Sequence, residues 1–218
     1  MKQFLIFLAF SLLLFSCNNS SQEKNTTANE PSATTTSEWL AIPNKSVGKI
    51  TPNMTEADII EAYGKAQVKR DSLHVGEGFY IQSTVVFSDT PNELRIAWEE
   101  GKTFEKMTRI ITKNPDSQWH TPEGLTIGSS LQKVVDLNDT HFNFWGFEWD
   151  YAGSVSSWEG GNFDNKGLGV RLAYQTERNQ LDEQTMTTVL GDQEVSSSEP
   201  ILKDMQVTVS ELFFYFPE

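Results

Sequence analysis

The 218-residue sequence predicts an α+β fold of two tandem units, each a helix packed on an antiparallel β-sheet. Three observations carry that expectation. A motif recurs: Ile50-Thr51 through Asp58-Ile59-Ile60-Glu61 aligns without gaps to Leu125-Thr126 through Lys133-Val134-Val135-Asp136, 75 positions later. Arg95-Ile96-Ala97-Trp98 is echoed by Arg171-Leu172-Ala173-Tyr174 in the same order, 76 positions later. Short apolar runs bounded by Gly, Pro, Asn and Asp then follow each copy of the motif, which is the pattern of strands and turns. Self-similarity at a fixed spacing marks a repeated structural unit.

Residues 1–17 stand apart from both units. Lys2 provides a positive start, Phe4 to Phe15 is apolar except for Ser11, and the run ends in Leu14-Phe15-Ser16-Cys17. This is the layout of a secretory signal, and it is shorter than the roughly 20 apolar residues that span a bilayer. The ending resembles the lipobox of bacterial lipoproteins. That resemblance implies that Cys17 is acylated, becomes the first residue after cleavage, and anchors the protein to an envelope membrane. The alternative is an ordinary signal peptide, or a short span, with an incidental cysteine. Asn18 rather than Asp follows Cys17, so residence in the outer membrane is expected. Cys17 is the only cysteine, which excludes disulfides, thiolate metal sites and cysteine nucleophiles from the folded part.

Residues 18–38 form a predicted flexible tether. Asn18 to Ser37 has no aromatic and no large aliphatic side chain, so it cannot bury enough apolar surface to offset the entropy of ordering. Such a coil holds the body on the order of 25 Å from its anchor. Segment 1–17 has one basic residue, Lys2, and no acid. Residues 18–218 therefore carry 16 basic and 30 acidic side chains, a formal charge of −14. A surface of that sign repels phosphate backbones and excludes nucleic acid as a partner. It also leaves lipid as the only route to the membrane, since no basic amphipathic helix is present.

The first unit is expected over 39–115. Thr55 precedes Glu56-Ala57-Asp58 as an N-cap with acids in the first turn, Ile59, Ile60 and Tyr63 make an apolar stripe, and Gly64 stops the helix. Strands are expected at 78–87, 94–99 and 107–112. The second unit is expected over 116–218. Ser129 or Ser130 caps a helix bearing Leu131, Val134, Val135 and Leu137, and strands follow at 144–151, 154–158, 168–174 and 205–216. In the last strand Val207, Val209, Glu211, Phe213 and Tyr215 alternate with Gln206, Thr208, Ser210, Leu212 and Phe214, with apolar residues on both faces near its end. The polar connection 175–203 is long for its position and contains a short helix around 183–190.

The phrase from Ile50 to Ile59, ending in Tyr63-Gly64, resembles the motif that opens the helix in SmpA/OmlA-type lipoproteins. The same unit in tandem forms the β-lactamase inhibitory protein. Those families often carry Gly where this chain has Asn53. The resemblance implies architecture, a turn into a helix that packs on a sheet, and is nearly silent on function.

Signatures of chemistry are absent: there is no G-x-S-x-G, no H-E-x-x-H and no phosphate-binding loop. His74, His120 and His141 have no ligand-like spacing. Glu99-Glu100 and Glu148/Asp150 are the only candidate acid pairs, the latter roughly 7 Å apart if they share a strand face. Asp150, Asp164 and Asn165 lack the calcium-loop pattern. No metal, cofactor or enzymatic activity is expected.

The segment with binding chemistry is aromatic: Phe142, Phe144, Trp145, Phe147, Trp149, Tyr151 and Trp158. On one strand Trp145, Phe147, Trp149 and Tyr151 would share a face. That row is either the core of the second unit or a surface for protein or glycan. The candidate binding residues are Trp145, Trp149, Tyr151 and Trp158, with Tyr151 or Trp158 expected to be exposed. The expected function is non-catalytic: a lipid-anchored envelope protein acting as a protein-interaction or inhibitor-like binding module, with glycan recognition by a Trp/Tyr-lined sheet as the alternative and an envelope hydrolase as the third.

Overall fold

Each half of the chain opens with a helix whose start is set by its own polar residues. In the computed structural model, which describes residues 38–101 and 104–216, a two-stranded ribbon of β1 (Ala41–Ile42) and β2 (Ser46–Val47) leads into α1 (Glu56–Tyr63). Thr55 and Asp58 form a reciprocal capping box. The Thr55 hydroxyl accepts from the Asp58 N–H at 3.3 Å, and the Asp58 carboxylate accepts from the Thr55 N–H at 2.8 Å. Gly64 ends the helix at φ 86°. In the second half Ser130, not Ser129, caps α2 (Leu131–Asn138) by accepting from the Lys133 N–H at 3.2 Å, and Asp139 ends it in the left-handed region at φ 61°. Cys17 and tether residues 18–37 lie outside the described residues. Among the described residues no helix is long and apolar enough to cross a membrane.

The fold is α+β and mostly sheet. After α1 come β3 (Val68–His74), β4 (Tyr80–Val86), β5 (Leu94–Trp98) and β6 (Met107–Thr112). After α2 come β7 (Asn143–Trp145), β8 (Val155–Ser157), β9 (Leu168–Ala173), the one-turn α3 (Glu183–Met186), β10 (Glu194–Ser196) and β11 (Thr208–Tyr215). Six strands form one antiparallel sheet in the order β3-β4-β5-β6-β11-β9. A three-stranded sheet, β10-β7-β8, meets it through a bridge between Ser154 and Arg171. Strands from the two halves therefore pair side by side, β6 against β11.

Period-two alternation sends each strand's residues to opposite faces. One face carries Leu94, Ile96, Ile110, Leu168, Val170, Leu172, Leu212 and Phe214, all buried and joined to Ile59 of α1 and Val134 of α2 in one core. Each such side chain contributes about 1.5–3 kcal/mol through burial. Glu56 is the charged residue within this layer. It accepts from the Arg70 guanidinium at 2.6 and 2.8 Å and from the Thr84 hydroxyl at 2.7 Å. Burial pushes its pKa up, but these bonds outweigh that and hold it below the usual carboxylate range.

The structure corrects several expectations. Strand β3 was not foreseen because its exposed, charged run Lys69-Arg70-Asp71-Ser72 hides the alternation. The strand expected over 144–151 stops at Trp145, and Glu148 takes φ 68°, which no continuing strand permits. In β11 the register shifts between Val209 and Glu211, so Val209 faces the core with Leu172 while Glu211, Phe213 and Tyr215 face the other way. The row expected from Val207 to Tyr215 is thus split between faces. Asn53 is not among the residues with positive φ, whereas Gly128, 75 positions on, has φ 79°. Ala97 and Ala173 of the echoed Arg-x-Ala phrase lie on the sheet face away from the helices, as their register with Arg109 and Thr208 requires, and Ala97 is fully buried there.

Candidate functional site

The sheet face turned away from the helices floors a trough of about 1270 Å³. Its floor comes from alternate residues of four strands: Arg95 of β5, Arg109 and Ile111 of β6, Glu211, Phe213 and Tyr215 of β11, and Gly169 and Arg171 of β9. Pairing sets them in rows. Arg95 lies opposite Ile111, Ile111 opposite Phe213, and Phe213 opposite Gly169. The next row runs Ser83, Ala97, Arg109, Tyr215.

An aromatic loop makes one wall. Trp145, Trp149 and Tyr151 form a chain of edge-to-face contacts, with ring centroids 6.0 and 5.2 Å apart. The indole of Trp149 donates to the Gly146 carbonyl at 2.8 Å, which fixes the loop after β7 ends. Gly153 then pins the loop to β9: its N–H donates to Trp145 O and its carbonyl accepts from the Leu172 N–H, each at 2.8 Å. Only glycine fits there, since φ is 72° and a Cβ would approach the Leu172 carbonyl oxygen to 2.0 Å.

The β3–β4 hairpin makes another wall. Leu73, His74 and Gly76 line the trough, and the Glu77 N–H donates to the Asp150 carboxylate at 3.1 Å. The hairpin tip thus meets the aromatic loop. Among the described residues the large apolar side chains that remain exposed are Phe79, Tyr80, Tyr151 and Tyr215. Phe79 and Tyr80 ride on the hairpin, and Tyr151 and Tyr215 line the trough.

Charge in the trough is unlike the strongly acidic body. Arg95 is paired with Glu93 at 2.9 Å and Asp71 at 3.0 Å, and Arg171 with Glu211 at 3.5 Å. Arg171 also lies over the Phe213 ring, 5.8 Å from its centroid. Arg109 has no carboxylate partner among the described residues, and its buried Nε–H has no hydrogen-bond acceptor.

The sequence candidates separate. Trp145, Trp149 and Tyr151 all line the trough. Trp158 does not: it is 8% exposed, packs against Phe142 and Phe163, and donates to the Leu168 carbonyl at 3.2 Å. Phe147, placed with Trp149 by alternation, is instead buried against Phe144 and Tyr174, because the strand ends before it. Glu148 and Asp150 do not share a strand face. Glu148 accepts from Tyr174 at 2.7 Å and pairs with Arg178, and these bonds hold its pKa below the usual range. That cluster ties the 175–203 connection to the aromatic loop. Among the described residues no group of His, Cys, Asp and Glu is arranged to hold a metal ion. The sequence marks Arg95 and Arg171 only as repeat positions, and it does not single out Arg109 or the hairpin aromatics. Their signal, alternation with Ile96, Ile110 and Leu172, becomes readable once the strand register is known.

A smaller cavity of about 380 Å³ lies among Trp39, Tyr63, Phe87 and Trp119, near the first described residues. Its rings pack edge to face on one another. No protein-family description matches the chain, and neither does any curated protein or solved structure.

Proposed function

We propose that this chain is a lipid-anchored bacterial envelope protein that works as a non-catalytic binding module, taking a protein partner into the trough. The observation that carries the reading is the clustering of exposed aromatics. Tyr151 and Tyr215 line the trough, and Phe79 and Tyr80 stand on the β3–β4 hairpin whose residues 73–76 form one of its walls. Exposed aromatics beside arginine have the composition of interaction hot spots. Anchoring rests on Leu14-Phe15-Ser16-Cys17 and an uncharged apolar run.

Glycan recognition is the second reading, favoured by Trp and Tyr lining a trough. Against it, Trp145 and Trp149 meet at 87° and Trp149 and Tyr151 at 69°. Rings so crossed cover one another's faces and offer no flat platform for a sugar.

We also propose that the two halves are copies of one unit of the SmpA/OmlA-like kind. Both helices have eight residues and start 75 positions apart. Their caps Thr55 and Ser130 correspond, as do their positive-φ ends Gly64 and Asp139. Across the sheet the first half reads β3-β4-β5-β6, and the second returns as β11-β9 and, through the Ser154 bridge, β8-β7. Superposing the halves should match Ile59 with Val134 and Arg95 with Arg171. A best fit that pairs other residues breaks this reading.

Two experiments test the rest. Cys17→Ser should release the protein from the membrane fraction or block its processing, and normal processing with membrane retention would end the lipoprotein reading. Cross-linking in the native envelope should recover a partner with the unmodified chain and lose it with Phe79→Ser/Tyr80→Ser. Those side chains are exposed, so stability should move by no more than about 0.5 kcal/mol. Equal capture by both proteins would remove the trough from consideration.

A further inference from the structure

We infer that the trough holds a carboxylate at Arg109, carried on an aromatic or other planar apolar body that lies over Tyr215 and Phe213. This rests on the trough being the binding surface and names the chemistry of what enters it.

Arg109 is the cation whose needs the protein leaves unmet. Arg95 has two carboxylates and Arg171 has one, but Arg109 has none among the described residues. Its buried Nε–H lacks an acceptor. Burying such a donor unsatisfied is costly, and the cost is removed when an acceptor arrives. The other orphaned buried polar atom, Ser83 Oγ, lies in the same cross-strand row. Ala97 stands between them, and Ala97 and Ser83 are both fully buried, so Arg109 is the member of this pair of orphans that reaches the trough. Lys113, on the same face of the chain four residues beyond Arg109, adds a second cation to the lining.

The apolar part of the ligand follows from the next strand. Tyr215 pairs with Arg109 across the ladder and is 40% exposed. Its ring stacks on Phe213 with centroids 6.5 Å apart and planes 21° from parallel. Among the described residues these two rings form the one near-parallel aromatic pair in the trough, with Phe213 only 9% exposed and Tyr215 offering the open ring beside the unpaired guanidinium. A guanidinium fork matches a carboxylate geometrically, which a lone ammonium does not. In a body with formal charge −14 over residues 18–218, an unneutralised arginine is a local reversal of sign that selects for an acid.

Two sources carry this chemistry: a free aryl acid, and an Asp or Glu beside an aromatic residue on a partner segment. The test titrates the purified full chain by calorimetry with 2-naphthoate against 2-naphthamide, and with acetyl-Phe-Glu-Phe-amide against acetyl-Phe-Gln-Phe-amide. At least one acid should bind about tenfold or more tighter than its neutral isostere, as a hydrogen bond to a charged group provides. A preference confined to the peptide pair identifies a protein segment, and one confined to naphthoate identifies a free acid. Arg109→Gln should abolish the preference, while Lys203→Gln should preserve it. The isostere ratio on the unmodified chain reads the inference even if Arg109→Gln fails to fold. Ratios near one in both pairs overturn it, as does a preference that survives in a folded Arg109→Gln protein. If the hairpin double variant loses its partner while both ratios stay near one, only the carboxylate assignment falls. If partner capture ignores the hairpin variant, the trough reading falls with it.

Discussion

The two faces of the six-stranded sheet are made by the same residues in alternation, yet they do different work. On the helix side, Ile96, Ile110, Leu172, Leu212 and Phe214 are buried, and the buried carboxylate there, Glu56, has both oxygens engaged by Arg70 and Thr84. On the trough side, Arg95, Ile111, Phe213 and Arg171 stand beside Arg109, which keeps an orphaned donor. One face is closed to everything but its own side chains, and the other leaves chemistry open. The contrast teaches that stability and binding can be altered separately by moving one residue along a strand.

The largest effect is expected on the closed face. Ile59→Ala and Leu212→Ala should each lose about 2–5 kcal/mol in urea unfolding, since both side chains are fully buried. A loss below about 1 kcal/mol would mean that the layer repacks and the contrast is weaker than drawn.

Next comes Glu56→Gln, expected to cost about 1–3 kcal/mol because it removes a charge-assisted bond and leaves Arg70 without its partner. It should also flatten the acid limb of stability. Glu56, Asp71 and Glu148 all have folded pKa values below their usual range. A depressed carboxylate contributes stability above its unfolded pKa, and that contribution fades as pH falls through the folded value. The melting temperature should therefore hold from pH 7 to about 5 and drop below about 4. An unchanged acid limb in Glu56→Gln would show that the pair is not coupled to folding.

Trp149→Ala sits between the faces. The indole is half-buried, so the expected loss is about 1–2 kcal/mol, less than for a Trp enclosed in a core. Partner binding should disappear with the wall. Unfolding by more than about 3 kcal/mol would make the aromatic loop part of the core and blur the comparison.

The smallest effect on stability belongs to Tyr151→Ala. The ring is 42% exposed, so thermal melts should shift little while binding weakens several-fold. A stable variant with undiminished binding would remove Tyr151 from the surface and narrow the site to Arg109, Tyr215 and Phe213.

By itself the sequence determined what is local. The starts of α1 and α2, the stop at Gly64 and β6 over 107–112 all follow from neighbours within a few positions, where caps, turn residues and alternation act. The aromatic density around Trp149 was equally plain. Tertiary structure alone decided which rings face out. Trp158 went to the core through Phe142 and Phe163, and Phe147 through a strand that ended early. It also decided the trough. Arg95, Arg109, Phe213 and Arg171 are distant in the chain and become neighbours only when β6 pairs with β11 and β11 with β9. The bulge at Val209/Glu211 then sets which face each residue of β11 occupies. A one-residue change of register reverses every side chain of a strand. The face a residue occupies is therefore settled by pairing across the sheet, which no window along the chain contains.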